Sequence, residues 1–109
     1  MQPHEEAHLR ILKIVEAEPD LSQRQLAERL GVSLGKTNFL IQSLLQKGLL
    51  KARNFRRAQN KLQYAYLLTP KGIAAKVRLT RAYLARKESE YEALQAEIQA
   101  LRREVKTTS

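Results

Sequence analysis

Three groups of side chains in this 109-residue sequence have types and spacing that could do chemistry. The first is His4-Glu5-Glu6-Ala7-His8, which fits the pattern H-E-x-x-H. On a helix its two imidazoles fall one turn apart, as zinc ligands do, and the glutamate between them could act as a general base. A zinc hydrolase needs that helix beneath a substrate cleft and a rigid third ligand, but the pentad opens the chain and holds its only two histidines. The expectation is an exposed helix start, with no catalysis, metal or cofactor. The second group is Ser33, Gly35, Lys36, Asn38, Phe39, Gln42 and Ser43. Solvated helix faces are usually rich in Glu and Lys. Hydroxyls and amides with one lysine, one aromatic ring and no acid suit base-pair edges and thymine methyl groups instead. The third group, Arg53, Arg56, Arg57, Asn60 and Lys61, brings four cations around one turn, as a phosphate backbone or a minor groove would require.

The charge distribution supports an anionic partner. The chain carries 20 Lys and Arg against 11 Asp and Glu, for a net charge of +9, and residues 29–87 hold 14 bases and no acid at all. From residue 88 onward five glutamates face three bases. A surface built from the acid-free segment attracts a polyanion by counterion release. Duplex DNA fits better than an anionic membrane, since a membrane-surface helix sets large apolar groups opposite its lysines and this chain has no Trp and two Phe. With no cysteine, disulfides, thiolate zinc sites and cysteine nucleophiles are excluded. No apolar run approaches the roughly 18 residues of a membrane span, and the N-terminus does not read as a signal peptide, so the expected location is cytoplasmic. Folding buries only about two-thirds of the surface of so short a chain, which leaves little room for a deep substrate cleft with a lid.

These residues need elements to position them. Ala7, Ile11, Leu12, Ile14 and Val15 have helical spacing and Pro19 ends the segment. Ser22 with Gln25 forms a capping box opening a helix over 23–30, whose inner face is Leu26, Ala27 and Leu30. Gly31 stops that helix and Ser33 caps the next, which spans 34–47 and ends at Gly48. Two helices joined by a short glycine turn predict a helix-turn-helix. On the second helix Leu34, Thr37, Leu40, Ile41, Leu44 and Leu45 form the core sector, leaving the polar set above outward. Period-two alternation then predicts a hairpin with Leu50, Ala52, Leu62, Tyr64, Tyr66 and Leu68 on its inner face and the 53–61 loop at its tip.

Thr69-Pro70 opens a long helix, with Thr69 as N-cap. Val77, Leu84, Tyr91, Ile98 and Val105 recur every seven residues, with Ile73, Thr80, Lys87, Leu94 and Leu101 as the companion row, so the pattern predicts a coiled-coil seam broken at Thr80 and Lys87. Only its first two turns are expected to pack on the chain's own first helix. The rest implies a homodimer whose seam is Ile73, Val77, Leu84, Tyr91, Leu94, Ile98, Leu101 and Val105. Parallel pairing suits the seam, whereas the basic 71–87 and acidic 88–97 stretches favour antiparallel pairing. The fold class is mostly α with a small β-hairpin (α+β). The domains are expected to be a DNA-binding domain over 1–70, a dimerisation helix over 71–105 and a frayed tail over 106–109.

The order Leu26-Ala27-Glu28-Arg29-Leu30-Gly31-Val32-Ser33, Leu44-Leu45-Gln46-Lys47-Gly48-Leu49-Leu50, a basic hairpin and Leu68-Thr69-Pro70-Lys71-Gly72 resembles the MarR-type winged helix over roughly residues 7–75. The segment from Lys51 to Lys76 further resembles short MarR-like regulators associated with exopolysaccharide gene clusters. The resemblance implies a homodimeric bacterial transcription regulator whose third helix enters the major groove and whose wing reaches the adjacent minor groove. Carried over by position, readout falls on Ser33, Gly35, Lys36, Asn38, Phe39 and Gln42, and wing contacts on Arg53, Arg56, Arg57 and Lys61. The acidic-plus-arginine wing motif, the extra N-terminal helix and the second C-terminal helix of larger members are missing, so dimerisation falls to the single long helix and no small-molecule effector is implied. Two other functions compete: a protein-interaction adaptor that recruits through the coiled coil, against which the acid-free segment counts, and an RNA-binding winged helix, for which Phe39 alone is a thin stacking platform.

Overall fold

The computed structural model describes residues 3–56 and 62–108; Arg57, Asn60 and Lys61 lie outside the described residues, and for Pro3, Phe55, Arg56, Leu62 and Gln63 the backbone alone is described. The elements run α1 (Pro3–Ala17), α2 (Gln23–Leu30), α3 (Leu34–Gln46), β1 (Leu50–Arg56), β2 (Leu62–Leu68) and α4 (Pro70–Thr108). This is the mostly helical, winged helix-turn-helix arrangement that the periodicities predict.

Ile11, Leu12 and Val15 of α1 are buried, and so is His8, which is 5% exposed. The expectation of an exposed helix start therefore fails for His8, one of the pentad's two histidines. His8, Leu12 and Val15 stand at i, i+4 and i+7, so the apolar stripe that docks α1 carries the imidazole into the core. The α2 capping box forms as predicted: Gln25 N–H donates to Ser22 Oγ at 3.2 Å and Ser22 N–H to Gln25 Oε1 at 2.9 Å. Gly31 takes φ +71°, a left-handed turn, and its N–H donates to the Ala27 carbonyl at 2.9 Å. Ser33 Oγ then accepts from Lys36 N–H at 3.0 Å, opening α3 two residues later.

Leu26, Leu30, Thr37, Leu40, Ile41 and Leu44 fill the centre of the core. Thr37 is buried at little cost, because its hydroxyl donates to the Ser33 carbonyl at 2.9 Å. Leu34 departs from the predicted core sector and is 44% exposed. It is the first residue of α3, where the helix has not yet reached the packed layer.

β1 and β2 pair antiparallel with Leu50 opposite Leu68, Ala52 opposite Tyr66 and Asn54 opposite Tyr64. Leu50 and Tyr66 join the core. Tyr64, expected beside them, is 59% exposed, because two residues farther along the strand the hairpin has passed the domain's edge. Ala65, on the opposite face, is fully buried, while Lys51 and Leu67, paired nearer the base on that face, are exposed.

Thr69 joins three segments. Its N–H donates to the Leu49 carbonyl at 3.1 Å, its hydroxyl donates to the Gly48 carbonyl, and its Oγ1 accepts from Gly72 N–H at 3.0 Å as the α4 cap. Helix α4 lies so close to the residue before β1 that a Cβ at Gly72 would stand 2.0 Å from the Leu49 carbonyl oxygen. Ala75 and Leu79 are buried, Tyr83 packs against the core, Lys76 pairs with Glu16, and Arg86 reaches Glu6 at 3.5 Å. Contact with α1 thus extends over about four turns rather than two, and the compact domain runs past residue 70 into α4. The helix also continues through Thr108, where a frayed tail was expected from residue 106. At 39 residues α4 is about 58 Å long. Most of that length projects beyond the domain, which gives the chain a longest dimension of 71 Å.

Candidate nucleic-acid interface

Helix α3 turns Thr37, Leu40, Ile41 and Leu44 inward, which fixes what faces out. Gly35, Lys36, Asn38, Phe39 and Gln42 are all exposed along that outer face, and Ser43 is half-buried at its margin. Ser33 is exposed, but its Oγ is held by Lys36 N–H and its carbonyl takes the Thr37 hydroxyl, so its first task is to build the helix start. A Cβ at Gly35 would meet no atom beyond its own stretch of helix within 4 Å, which leaves the backbone open to close approach. Phe39 is 60% exposed, and its ring meets the edge of His4 at a centroid distance of 6.1 Å and an interplanar angle of 69°. A phenyl ring held at the surface in that way offers an apolar contact.

The pattern alone did not show that Asn38 is held from α2. Gln23 Nε2 donates to Asn38 Oδ1 at 2.9 Å. The two residues are 15 apart in sequence, and only the packing of α2 against α3 joins them. Beside this pair a groove of about 470 Å³ runs between α2, α3 and the hairpin, lined by Ser22, Gln23, Arg24, Leu34, Asn38, Gln42, Tyr64 and Tyr66. Arg24, Gln23 and Tyr64 are additions to the predicted site. Leu34 and Tyr64, expected in the core and exposed instead, are walls of this groove, whereas Ala52, also expected on the inner face, is exposed away from it.

The hairpin set divides. Arg53, expected to lie on a phosphate backbone, instead directs its guanidinium to the Asp20 carboxylate and to the Pro19 carbonyl oxygen at 3.2 Å. It braces the strand against the α1–α2 link, because Arg53 shares the hairpin face with Ala65 and that face is turned toward the domain. Asn54, on the other face, is exposed opposite Tyr64.

Other acids of the N-terminal third are also taken up by bases. Arg29 bonds Glu18 at 3.0 and 3.2 Å and holds that carboxyl below its ordinary range, Lys76 pairs with Glu16, and Arg86 lies by Glu6. Arg24 and Lys36, beside the groove and the α3 face, have no acidic partner among the described residues. The site is therefore positive where the polar face of α3 is presented. The two histidines of the pentad do not converge, since His4 is against Phe39 and His8 is buried. Among the described residues no cluster of three or more potential ligands could hold a metal, and no helix is long and apolar enough to cross a membrane.

Residues 5–51 match the family described as winged helix-turn-helix DNA-binding. Comparison with curated protein sequences gives no match. Among solved structures, a PadR-like transcriptional regulator from Bacillus cereus superposes with a TM-score of 0.75 at 18% identity, over 82% of this chain and 91% of that one. The PcaV transcriptional regulator from Streptomyces coelicolor gives 0.64 at 28% identity, over 90% of this chain and 74% of that one. The zinc-responsive MarR family member ZitR from Lactococcus lactis gives 0.62 at 21% identity, over 86% of this chain and 60% of that one. Residues 5–51 are thus similar to winged helix-turn-helix DNA-binding domains, and the chain has the fold of these solved regulators. Its fold is similar to that of the MarR family member ZitR, in keeping with the motifs around Gly48 and Thr69.

Proposed function

We propose that the protein is a homodimeric repressor that binds duplex DNA in a sequence-specific manner, with α3 in the major groove and the hairpin loop on the backbone or the adjacent minor groove. The observation that carries this reading is the outward face of α3, where Asn38, Gln42, Lys36 and Phe39 stand exposed without an acid among them. Amide side chains can donate to and accept from base edges, Lys36 suits guanine acceptors, and the Phe39 ring suits a thymine methyl. Ser33, Gly35 and Ser43 complete the readout surface. Arg56, Arg57, Asn60 and Lys61 serve the backbone. The dimer forms through the apolar stripe of α4, which is exposed from Ile73 to Val105. The resemblance of residues 51–76 to short exopolysaccharide-associated regulators makes those genes the proposed targets.

The test is selection of bound duplexes from a random library by the full-length protein at physiological salt, where non-specific contacts fade. An enriched inverted repeat is the expected result. Binding with no enriched motif would overturn base readout and leave an electrostatic DNA coater.

A further inference from the structure

We propose that two copies of α4 pair antiparallel about a two-fold axis beside residue 89. This rests on the dimer reading above and adds its direction and register. The stripe is exposed at Ile73, Val77, Leu84, Leu94, Ile98 and Leu101, while the domain's own core already occupies a different face of the helix through Gly72, Ala75 and Leu79. The open face is therefore available to a second helix along its whole length. Its two heptad rows, 77/84/91/98/105 and 73/80/87/94/101, are mirror images about residue 89. With the helices reversed about that point, 73 meets 105, 77 meets 101 and 84 meets 94. Every position in one row then faces one in the other with no overhang, which lets the apolar positions interlock as knobs into holes.

The two interruptions of the stripe decide the direction. A parallel, in-register pair sets Lys87 against Lys87 of the second copy within one buried layer, and Thr80 against Thr80. The antiparallel register sets Lys87 against Tyr91 and Thr80 against Ile98. A lysine can settle over a tyrosine face; within its own chain the Lys87 ammonium already stands 5.2 Å from the Tyr83 ring centroid. The charges agree. Residues 71–87 hold six bases and no acid, whereas 88–105 hold five acids and two bases. Parallel pairing lays the basic half on the basic half, and antiparallel pairing lays it on the acidic half twice. Near the axis, Glu90 comes opposite Glu88 of the second copy, but Arg86 at 3.0 Å and Lys87 at 3.2 Å neutralise Glu90 within each chain.

The register has a consequence for DNA. Ala75 and Leu79 anchor the winged domain on α4. Their midpoint lies about 12 residues from the axis, which displaces the two domains along the rod by about 36 Å at 1.5 Å per residue. This is close to one turn of B-DNA, the separation of neighbouring half-sites read by a two-fold dimer. A parallel pair leaves the domains side by side with no such displacement.

The sequence has no cysteine, so introduced thiols are the only ones. Leu84→Cys and Leu94→Cys are prepared as separate full-length proteins and oxidised alone and after mixing in the reduced state. Neither is expected to link to itself, and the mixture is expected to give the mixed disulfide dimer. Val77→Cys with Leu101→Cys repeats the test if the first pair folds poorly by circular dichroism. Self-linking of the single variants would overturn the antiparallel register. So would a failure to link in a protein that sediments as a dimer. A protein that sediments as a monomer at working concentration overturns the underlying dimer reading.

Discussion

The side-chain amide of Gln23, the first residue of α2, donates to the amide oxygen of Asn38 on α3 across 2.9 Å. This bond engages Asn38 Oδ1 and leaves its NH₂ to face outward as a donor. A free asparagine reads adenine with both its donor and its acceptor, whereas one held this way favours an edge rich in acceptors, such as guanine N7 and O6. Asn38→Ala is expected to relax preference at one operator position by about 1–3 kcal/mol. Gln23→Ala frees the amide and is expected to shift preference at that same position toward adenine. Competition binding with singly substituted duplexes measures both. If Gln23→Ala left the preference unchanged while Asn38→Ala relaxed it, the orienting role of Gln23 would be refuted.

Arg53 and Asp20 give a second, separable expectation. Because the guanidinium meets Asp20 and the Pro19 carbonyl, Arg53 is expected to order the hairpin rather than to neutralise phosphate. Arg53→Ala is expected to weaken DNA binding with little change in the slope of log K against log salt. Arg56→Ala is expected to reduce that slope by about one phosphate contact. The stability lost in Arg53→Ala should be below about 1 kcal/mol, since the ion pair is partly exposed. A salt titration of each variant distinguishes them, and a flattened slope in Arg53→Ala would return it to the phosphate-contacting set.

Local chemistry made much of this legible in the sequence. Ser22 with Gln25, Gly31, Ser33 and Thr69-Pro70 each mark an element boundary through a bond made within a few residues, and those boundaries appear where the pattern puts them. The α3 face was legible for the same reason, because helical periodicity fixes which side chains oppose Leu40 and Leu44. What the sequence did not carry was contact between distant segments. Gln23 with Asn38, Arg53 with Asp20, and the length over which α1 covers α4 depend on how elements pack, and no short-range signal encodes them. The burial of His8 was closer to legible. It shares a stripe with Leu12 and Val15, and the zinc pattern drew attention to its chemistry instead of its face.

Gly72 tests the packing that fuses domain and rod. A Cβ there would stand 2.0 Å from a backbone oxygen of Leu49, which cannot rotate away as a side chain could. Gly72→Ala, though it raises helix propensity, is expected to destabilise by about 3 kcal/mol, the upper end of overpacking costs. Urea denaturation should show a lower midpoint with an unchanged m-value. Gly35→Ala is the control, since its added methyl meets nothing within 4 Å. If both variants behaved alike, the close approach of α4 to Leu49 would be wrong.

His8 sets the response to acid. Its side chain is buried, its Nε2 has no hydrogen-bond partner among the described residues, and its pKa lies below the usual 6.5. Burial is the main cause; Lys47 and His4 add to it and Glu5 opposes it. A histidine with a depressed folded pKa binds its proton more readily in the unfolded chain. Its contribution to stability is therefore complete above about pH 6.5 and is lost as pH falls from there toward the folded value. His8→Leu keeps an apolar group on the stripe and removes both the titration and the unsatisfied nitrogen. The variant is expected to be at least as stable as the parent at pH 7.5, and its lead should widen as the pH is lowered toward 5.5. Denaturant midpoints at several pH values decide this: parallel midpoint-versus-pH curves for the two proteins would show that His8 is not the group that titrates.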